Sequence, residues 1–490
     1  MNQPQAAANA RGALVRRVLG VVTEVRPGET ATAVLLTLNV FVLLTAYYVI
    51  KPVREGLILE LESGAEYKSY MSGAIALLLL VLVPLYARFA SRVSRNRLVV
   101  GVTLFFVLHL VLFYLASRIS ELRPHLGLFF YLWVGVFNMM LVAQFWAFAN
   151  DVYSDEQGER LFALVGLGAS VGAALGAKVA DLLAEPVGRY NLLLVAAGML
   201  SLCALLFQWV HRRESGAREA RTDSAKGTQE RDAKPDTSLA AGAEAATTSP
   251  NGHEKVSPRQ RVAGAFGLVA RHRYLRLLAI FSLVFTVVNT NGEYMLSKLF
   301  KAEALERVAQ GALAESAVGN YLASEYGEFF FYVNVCGIVL QAFVVSRLVR
   351  YGGLRLAFLV LPVVALFGGI AFLAWPLLAV LRVTKIAENS TDYSVNNTVR
   401  NMLWLPTTQE MKYKAKQAVD TFFIRMGDVS SAAFVAVGVG VLGVGVRSFA
   451  AMNVIIIVGW LLLARAILRE NAAMKARHGG ENEEDEARAG

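Results

Sequence analysis

Two cations and a carboxylate, Lys51, Arg54 and Glu55, stand directly after the mostly apolar run 31–50. Charge this close to hydrocarbon is costly and normally faces a bundle interior or a wet cavity. One reading is an anion site at the mouth of a translocation path. The other is a helix capped by cations at the membrane surface. Pro52 lies among these residues. It has no backbone N–H and disfavours helix at the residue before it. The helix is therefore expected to be interrupted, or to end, at the charge cluster.

Four further segments place polar groups in or beside apolar runs. In 143–177, Asn150 and Asp151 close one run and Glu159 and Arg160 open the next, followed by Gly166, Gly168, Gly172 and Gly176. Small residues at that spacing let helices pack closely, so this reads as a turn and a packing face, with Asn150 the residue most suited to a further role. In 287–304, Asn289, Asn291 and Gly292 interrupt an apolar helix and Glu293 follows. Glu293 reads either as a functional intramembrane carboxylate or as an interfacial partner of Lys298. In 383–416, Lys385, Glu388, Asp392 and Asn396 fall on one helical face, with Asn389 and Arg400 nearby. Such a stripe must line a cavity or pair with another helix, unless 383–400 does not cross the membrane. In 414–433, Lys416 and Asp420 are spaced to pair with each other. Arg425 lies deeper and needs an anionic partner, which Asp428 can supply.

No glycine-rich phosphate loop, nucleophile elbow or paired-His metal motif occurs. Bond-making chemistry, a metal and a cofactor are therefore not expected. Cys203 and Cys336 sit inside apolar runs and read as small core residues.

The elements that must hold these residues are membrane-length. Of 490 residues, 56% are hydrophobic and 18% charged, more apolar and less charged than soluble domains. The net charge of +10 does not point to nucleic acid, because much of the Lys and Arg lies in short segments between apolar runs. The expected spans are 31–50, 69–90, 98–117, 127–149, 161–183 and 190–211, then 274–297, 326–349, 354–376, 377–400, 419–443 and 448–468. Arginine clusters after the second, sixth and eighth spans, and lysines after the tenth, fall on one side of such a bundle. The positive-inside rule makes that side cytoplasmic, with both termini inside. The opposite loops balance their charge, as Glu60, Glu62 and Glu66 do.

The organisation expected is a cytoplasmic segment 1–30, a six-helix half 31–211, a disordered linker 212–261, a second six-helix half 262–470 and an acidic tail 471–490. This is an all-α membrane protein of about twelve transmembrane helices. The layout resembles the major facilitator superfamily, in which two halves rock around a site near the bilayer midplane. The Arg-rich loops 86–99 and 345–358 occupy equivalent places in the two halves but lack that superfamily's loop Asp.

The residues also resemble the nucleotide (ATP/ADP) translocases of plastids, obligate intracellular bacteria and free-living relatives. Ile50-Lys51-Pro52-Val53-Arg54-Glu55-Gly56-Leu57 is similar to that family's first-helix motif, with Arg54 at its key Lys position. Phe145-Trp146-Ala147-Phe148-Ala149-Asn150 is similar to its FWxFAN motif, and the run from Arg160 to Ala169 continues it. The segment from Asn289 to Leu299 resembles its seventh-helix segment with an essential Glu, here Glu293. Pro406-Thr407-Thr408-Gln409-Glu410-Met411, followed by Lys416-Gln417-Ala418-Val419-Asp420, is similar to its PxKEM…GKAAID segment, which carries an essential Lys. Arg replaces Lys at 54, and Phe129 to Gln144 contains no counterpart of the family's fourth-helix acidic residue.

The resemblance implies a bacterial inner-membrane transporter exchanging a nucleotide, or moving a related phosphorylated anion, by alternating access. The candidate substrate-binding residues are Lys51, Arg54, Glu55, Asn150, Asn289, Glu293, Lys298, Glu388, Asp392, Arg400, Lys416, Asp420 and Arg425. A monomer in the lipid bilayer is expected, with no nucleic-acid partner. A proton-coupled permease or exporter for another solute stays open, as does a non-transporting sensor or scaffold.

Overall fold

The computed structural model describes residues 23–26, 29–232 and 258–489; among these the regular structure is helical throughout. A chain this apolar must satisfy its backbone polar groups internally in lipid, and helices do so within each segment. The first half comprises α1 (Thr30–Leu59), α2 (Gly64–Ala90), α3 (Arg95–Ala116), α4 (Leu126–Val152), α5 (Asp155–Ala184) and α6 (Arg189–Asp232). After α7 (Pro258–Arg271) come α8 (Arg273–Ala309), α9 (Val318–Val339), α10 (Val345–Ala374), α11 (Leu378–Thr391) and α12 (Asn397–Met402). The one-turn α13 (Lys416–Ala418), α14 (Ile424–Val435) and α15 (Val446–Ala489) complete the second half.

Among the described residues, ten helices are long and apolar enough to cross a membrane. One of them, the 60-residue stretch Glu315–Ala374, turns at Gly353, whose φ of 63° suits a residue without Cβ, and so makes two legs. The helical run 378–402 is the twelfth leg and is too polar to count among the ten. The expected architecture of two six-helix halves is what forms.

Local chemistry sets the joints. Ser154 starts α5 with a capping box: its Oγ accepts from the Gln157 amide at 3.4 Å, and Gln157 Oε1 accepts from the Ser154 amide at 3.1 Å. Five π-helical turns occur among the described residues, all in the second half: Leu340–Val344, Asp392–Asn396, Met411–Ala415, Val419–Phe423 and Ala436–Val441. Such turns are often found at functional sites.

Several expectations are corrected. α1 does not end at Pro52; the proline lies inside a helix that continues to Leu59. Tight packing of α1 against α5, α6 and α9 holds that helix on course through the missing hydrogen bond. Nor is α8 interrupted at Asn289–Gly292. Asn291 turns its side chain to Asn453 (3.3 Å) and Ser431 (2.8 Å) instead of to its own backbone. The region read as a disordered linker begins as helix, since α6 continues to Asp232; residues 233–257 lie outside the described residues, as does most of the segment 1–30. α15 likewise continues to Ala489 through the acidic tail, whose Ala, Glu and Arg favour helix.

The two halves are joined at the end that carries the α1–α2, α5–α6 and α8–α9 connections. There Arg189, 2% exposed, donates to Asn320 Oδ1 at 2.9 Å and pairs with Glu60. Lys301 donates to the Leu61 and Glu62 carbonyls, and Ser324 Oγ to the Asp181 carbonyl at 2.9 Å. Backbones meet directly: a Cβ on Gly56 would lie 2.3 Å from the Gly319 carbonyl, and one on Gly327 2.5 Å from the Asp181 nitrogen.

Candidate functional site

Beneath this joined end lies a cavity of about 180 Å³ lined by residues of both halves. α1 contributes Lys51, Arg54 and Glu55; α2 contributes Lys68, Ser69 and Ser72; α4 contributes Tyr131. The second half contributes Asn289, Thr290, Glu293 and Tyr294 from α8, Phe330 from α9, Asn389 from α11 and Tyr393 from the π-turn that follows.

Helical periodicity explains the α1 contribution. Lys51, Arg54 and Glu55 stand three and four residues apart and so share one face. On α2, Lys68, Ser69 and Ser72 do the same one turn after the helix start. A residue in the first turn of a helix next to the joined end is carried inward, which puts the Lys68 ammonium among three other helices.

The charges form a chain of alternating sign. Glu55, with 1% side-chain exposure, takes Arg54 on one oxygen, Nε at 3.0 Å, and Lys68 on the other at 2.9 Å. Lys68 also reaches Glu293 at 3.5 Å. Glu293 lies 4.0 Å from Lys385, which pairs with Glu388 at 3.1 Å. Gly292 leaves the space for Lys385, because a Cβ there would be 2.9 Å from its Nζ. The order is Arg54, Glu55, Lys68, Glu293, Lys385, Glu388. It crosses from the first half to the second at the Lys68–Glu293 contact.

Neutral groups complete these bonds. Lys68 donates to Ser297 Oγ at 2.9 Å and to the Tyr326 hydroxyl at 3.2 Å. Lys385 donates to Asn289 Oδ1 at 2.9 Å, and Asn389 Nδ2 donates to Glu293 Oε1 at 3.0 Å. Arg54 lies over the Tyr131 ring at 4.3 Å.

Three cations and three carboxylates balance in that chain, and Lys51 is a further basic group. It makes no ion pair among the described residues. Its ammonium sits 3.8 Å from the Phe330 ring centroid and 5.2 Å from that of Tyr48. A cation held by ring faces alone retains its capacity for an anion. Among the basic groups lining this cavity, Lys51 is thus the one without a carboxylate partner among the described residues, and it stands beside the ion-paired Arg54 and Lys68.

The residues expected from sequence divide clearly. Lys51, Arg54, Glu55, Asn289 and Glu293 line the cavity, and Glu388 stands behind it with Lys385 at a smaller neighbouring cavity. The others lie elsewhere. Lys298 pairs with Glu66 at 2.5 Å rather than with Glu293. Asn150 is exposed at the end of α4. Asp392 accepts from Asn396 at 2.7 Å. Arg400 pairs with Asp420 at 3.0 Å, and Lys416 donates to Asn401 at 2.9 Å, so the expected Lys416–Asp420 pair does not form. Arg425 does take Asp428, at 3.2 Å. Helical spacing had put these residues on faces, but only the winding of the π-turns and the tilt of the legs set their depth.

Sequence reasoning missed Lys68, Ser72, Tyr131 and Tyr393. The signal for Lys68 was present: a lone Lys two residues after Glu66, at the brink of an apolar run. The helix starts at Gly64, five residues before the expected span 69–90, and so takes Lys68 in.

Comparisons with known proteins agree with this architecture. The Major Facilitator Superfamily model matches residues 36–406, and that of the TLC ATP/ADP transporter matches residues 376–470. ADP,ATP carrier protein 1 of Chlamydia pneumoniae is 25% identical over 364 residues, covering 67% of this chain. ADP,ATP carrier protein 5 of Rickettsia conorii is 22% identical over 340 residues, covering 61% of this chain. The chain spans 64% and 59%, respectively, of the length of those relatives. Among solved structures, a POT family transporter in complex with 5-aminolevulinic acid superposes with a TM-score of 0.59 at 12% identity, covering 90% of this chain and 96% of that one. The nucleoside transporter NupG (D323A mutant) gives 0.57 at 10% identity, covering 89% and 99%. At such identities these likenesses speak for the fold alone. The resemblance read from the sequence motifs holds as a relationship. The chain belongs to the Major Facilitator Superfamily and is a multi-pass membrane protein similar to ATP/ADP transporters.

Proposed function

We propose that this transporter exchanges a nucleotide of the ATP/ADP type, or a closely related phosphorylated anion, by alternating access. The observation that carries the reading is Lys51, without a carboxylate partner among the described residues, beside the ion-paired Arg54 and Lys68 in one cavity shared by both halves. A polyphosphate brings several negative charges and needs several cations. Arg binds phosphate oxygens through two N–H groups, and Lys acts as a compact point charge. The relatives named as ADP,ATP carriers support the same substrate class.

The mechanism follows from an exchange of partners. An entering phosphate takes Lys51 first, then competes with Glu55 for Arg54 and with Glu293 for Lys68. Losing Glu293 from Lys68 removes one of the two ion pairs between α2 and α8, the other being Lys298–Glu66, and so loosens the joined end. When cargo leaves, the carboxylates return and the halves are tied again, so an empty carrier does not reorient and transport is an exchange. The Arg-rich connections face the cytoplasm of a bacterial inner membrane, with both termini inside. Each chain encloses a whole cavity, so the monomer is the working unit.

The test is uptake of labelled ATP into proteoliposomes loaded with ADP, beside empty vesicles. Uptake should require internal ADP. Arg54→Ala should lower it at least about thirtyfold, the effect of losing about 2 kcal/mol from a buried charge pair. Glu293→Gln should let uptake proceed without internal ADP. Absence of uptake by correctly inserted protein would overturn the nucleotide reading. Uptake driven by a proton gradient and indifferent to internal nucleotide would favour a proton-coupled permease instead.

A further inference from the structure

The cavity is chemically lopsided. Its cations, Lys51, Arg54 and Lys68, all come from the first half. The second half presents one carboxylate, Glu293, and otherwise neutral polar and aromatic groups. Three of these have unused capacity. Tyr393 stands on the π-turn Asp392–Asn396, inside a polar membrane-length leg, and yet is 44% exposed. Its hydroxyl has no hydrogen bond among the described residues. Large aromatics commonly bury most of their area, so a half-bare ring lining a polar cavity is an available stacking face.

The other two are the amides of Asn289 and Asn389, and their partners fix their orientation. Lys385 can only donate, so Asn289 offers it Oδ1. The Glu293 carboxylate, beside Lys68 and Lys385, accepts, so Asn389 offers it Nδ2. The amides' opposite atoms, Asn289 Nδ2 and Asn389 Oδ1, have no hydrogen bond among the described residues. One donor and one acceptor are thus unused on two residues that line the same cavity as Tyr393.

We propose that Tyr393, Asn289 and Asn389 form the subsite for the flat heterocyclic base of the substrate. The base stacks on Tyr393, and an edge with adjacent N–H donor and ring-nitrogen acceptor pairs with the two amides. An Asn amide reads such an edge on adenine in other contexts. The phosphates then lie toward the first half and the base toward the second. Cargo spans the two halves because its own two ends are chemically different. This inference rests on the nucleotide reading above.

The experiment is displacement of labelled ATP from the purified full-length protein by unlabelled ATP or by inorganic tripolyphosphate, which has the charge and no base. Wild type, Tyr393→Phe and Tyr393→Leu are compared. Base stacking on an aromatic residue is worth roughly tenfold or more in affinity. Wild type should prefer ATP over tripolyphosphate, and Tyr393→Phe should keep that preference. Tyr393→Leu should lose about tenfold in ATP affinity while binding tripolyphosphate as wild type does, which also shows that the variant is folded. A Tyr393→Leu protein with the wild-type ratio of the two affinities would overturn the base subsite while leaving the nucleotide reading intact. Wild-type protein that binds neither compound would overturn both.

Discussion

In the first half, α5 lies so close to α1 that a Cβ on Gly172 would stand 2.3 Å from the Phe41 carbonyl, and one on Gly176 2.2 Å from that of Thr45. Polar links there run from side chain to backbone: Asn39 donates to the Cys203 carbonyl at 3.0 Å and Thr45 Oγ1 to the Gly172 carbonyl at 3.2 Å. In the second half α8 and α14 also approach closely, a Cβ on Gly427 standing 2.8 Å from the Leu283 carbonyl, but Asn291 adds side-chain bonds to both Asn453 and Ser431, each of the three less than 9% exposed. The π-turns described above lie in this half too. Backbone-to-backbone packing has no slack, since neither surface has a rotamer to change. Hydrogen bonds between side chains, and helices with looser turns, can re-form with other partners. Under the exchange proposed above, the first half is expected to move as a block that carries the cations and the second half to adjust around cargo.

Three substitutions would break or sharpen this contrast. The largest effect is expected of Gly176→Leu, whose side chain meets backbone that cannot give way. The cost should exceed the roughly 1–3 kcal/mol usual for an overpacked core. Size-exclusion chromatography and thermal melting in detergent should show little folded protein, and a normal monodisperse peak would refute the rigid-block description.

Gly319→Ala comes next. The added Cβ would stand 2.5 Å from the guanidinium carbon of Arg189, at the joined end. A guanidinium on a long side chain can yield, so the protein should fold. Its bonds to Asn320 and Glu60 should weaken and the two halves part there more readily. Distances between spin labels at Glu62 and Ala317 should shift toward the longer population by several-fold. An unchanged distribution would mean that Arg189 does not fasten that end.

The smallest effect is expected of Asn291→Ala. Polar side-chain contacts within membranes are worth about 0.6 kcal/mol on average and up to about 1.7. The melting temperature should fall by a few degrees or less. A loss as large as that for Gly176→Leu would show the second half to be as unyielding as the first.

Much of this was legible in the chain. Apolar runs of membrane length gave the legs, and the Arg-rich turns between them gave their order. Lys51, Arg54, Glu55 and Glu293 stood out because lone charges at the edge of, or within, apolar runs have few structural uses. Lys68 was hidden because a charge at the start of a run looks the same whether it faces water or a cavity. Tyr393 was hidden because an aromatic residue in a membrane helix is ordinarily core or lipid-facing. Arg400, Lys416 and Arg425 were over-read: periodicity places a residue on a face but gives no depth along a leg whose winding changes at π-turns.

By itself, then, the sequence determined that this protein is a helical membrane bundle with two halves, and that some intramembrane charges must face one another. Those are consequences of solvation, since hydrocarbon accepts neither bare peptide groups nor lone charges. Which carboxylate holds which cation was decided only by the tertiary structure. Lys68 serves both Glu55, 13 residues before it in the chain, and Glu293, far beyond the linker, because helices from opposite halves converge there. That Lys51 is left with aromatic rings alone is likewise a fact of packing. Coulomb attraction depends on distance in space, and the order of residues along a chain does not fix that distance.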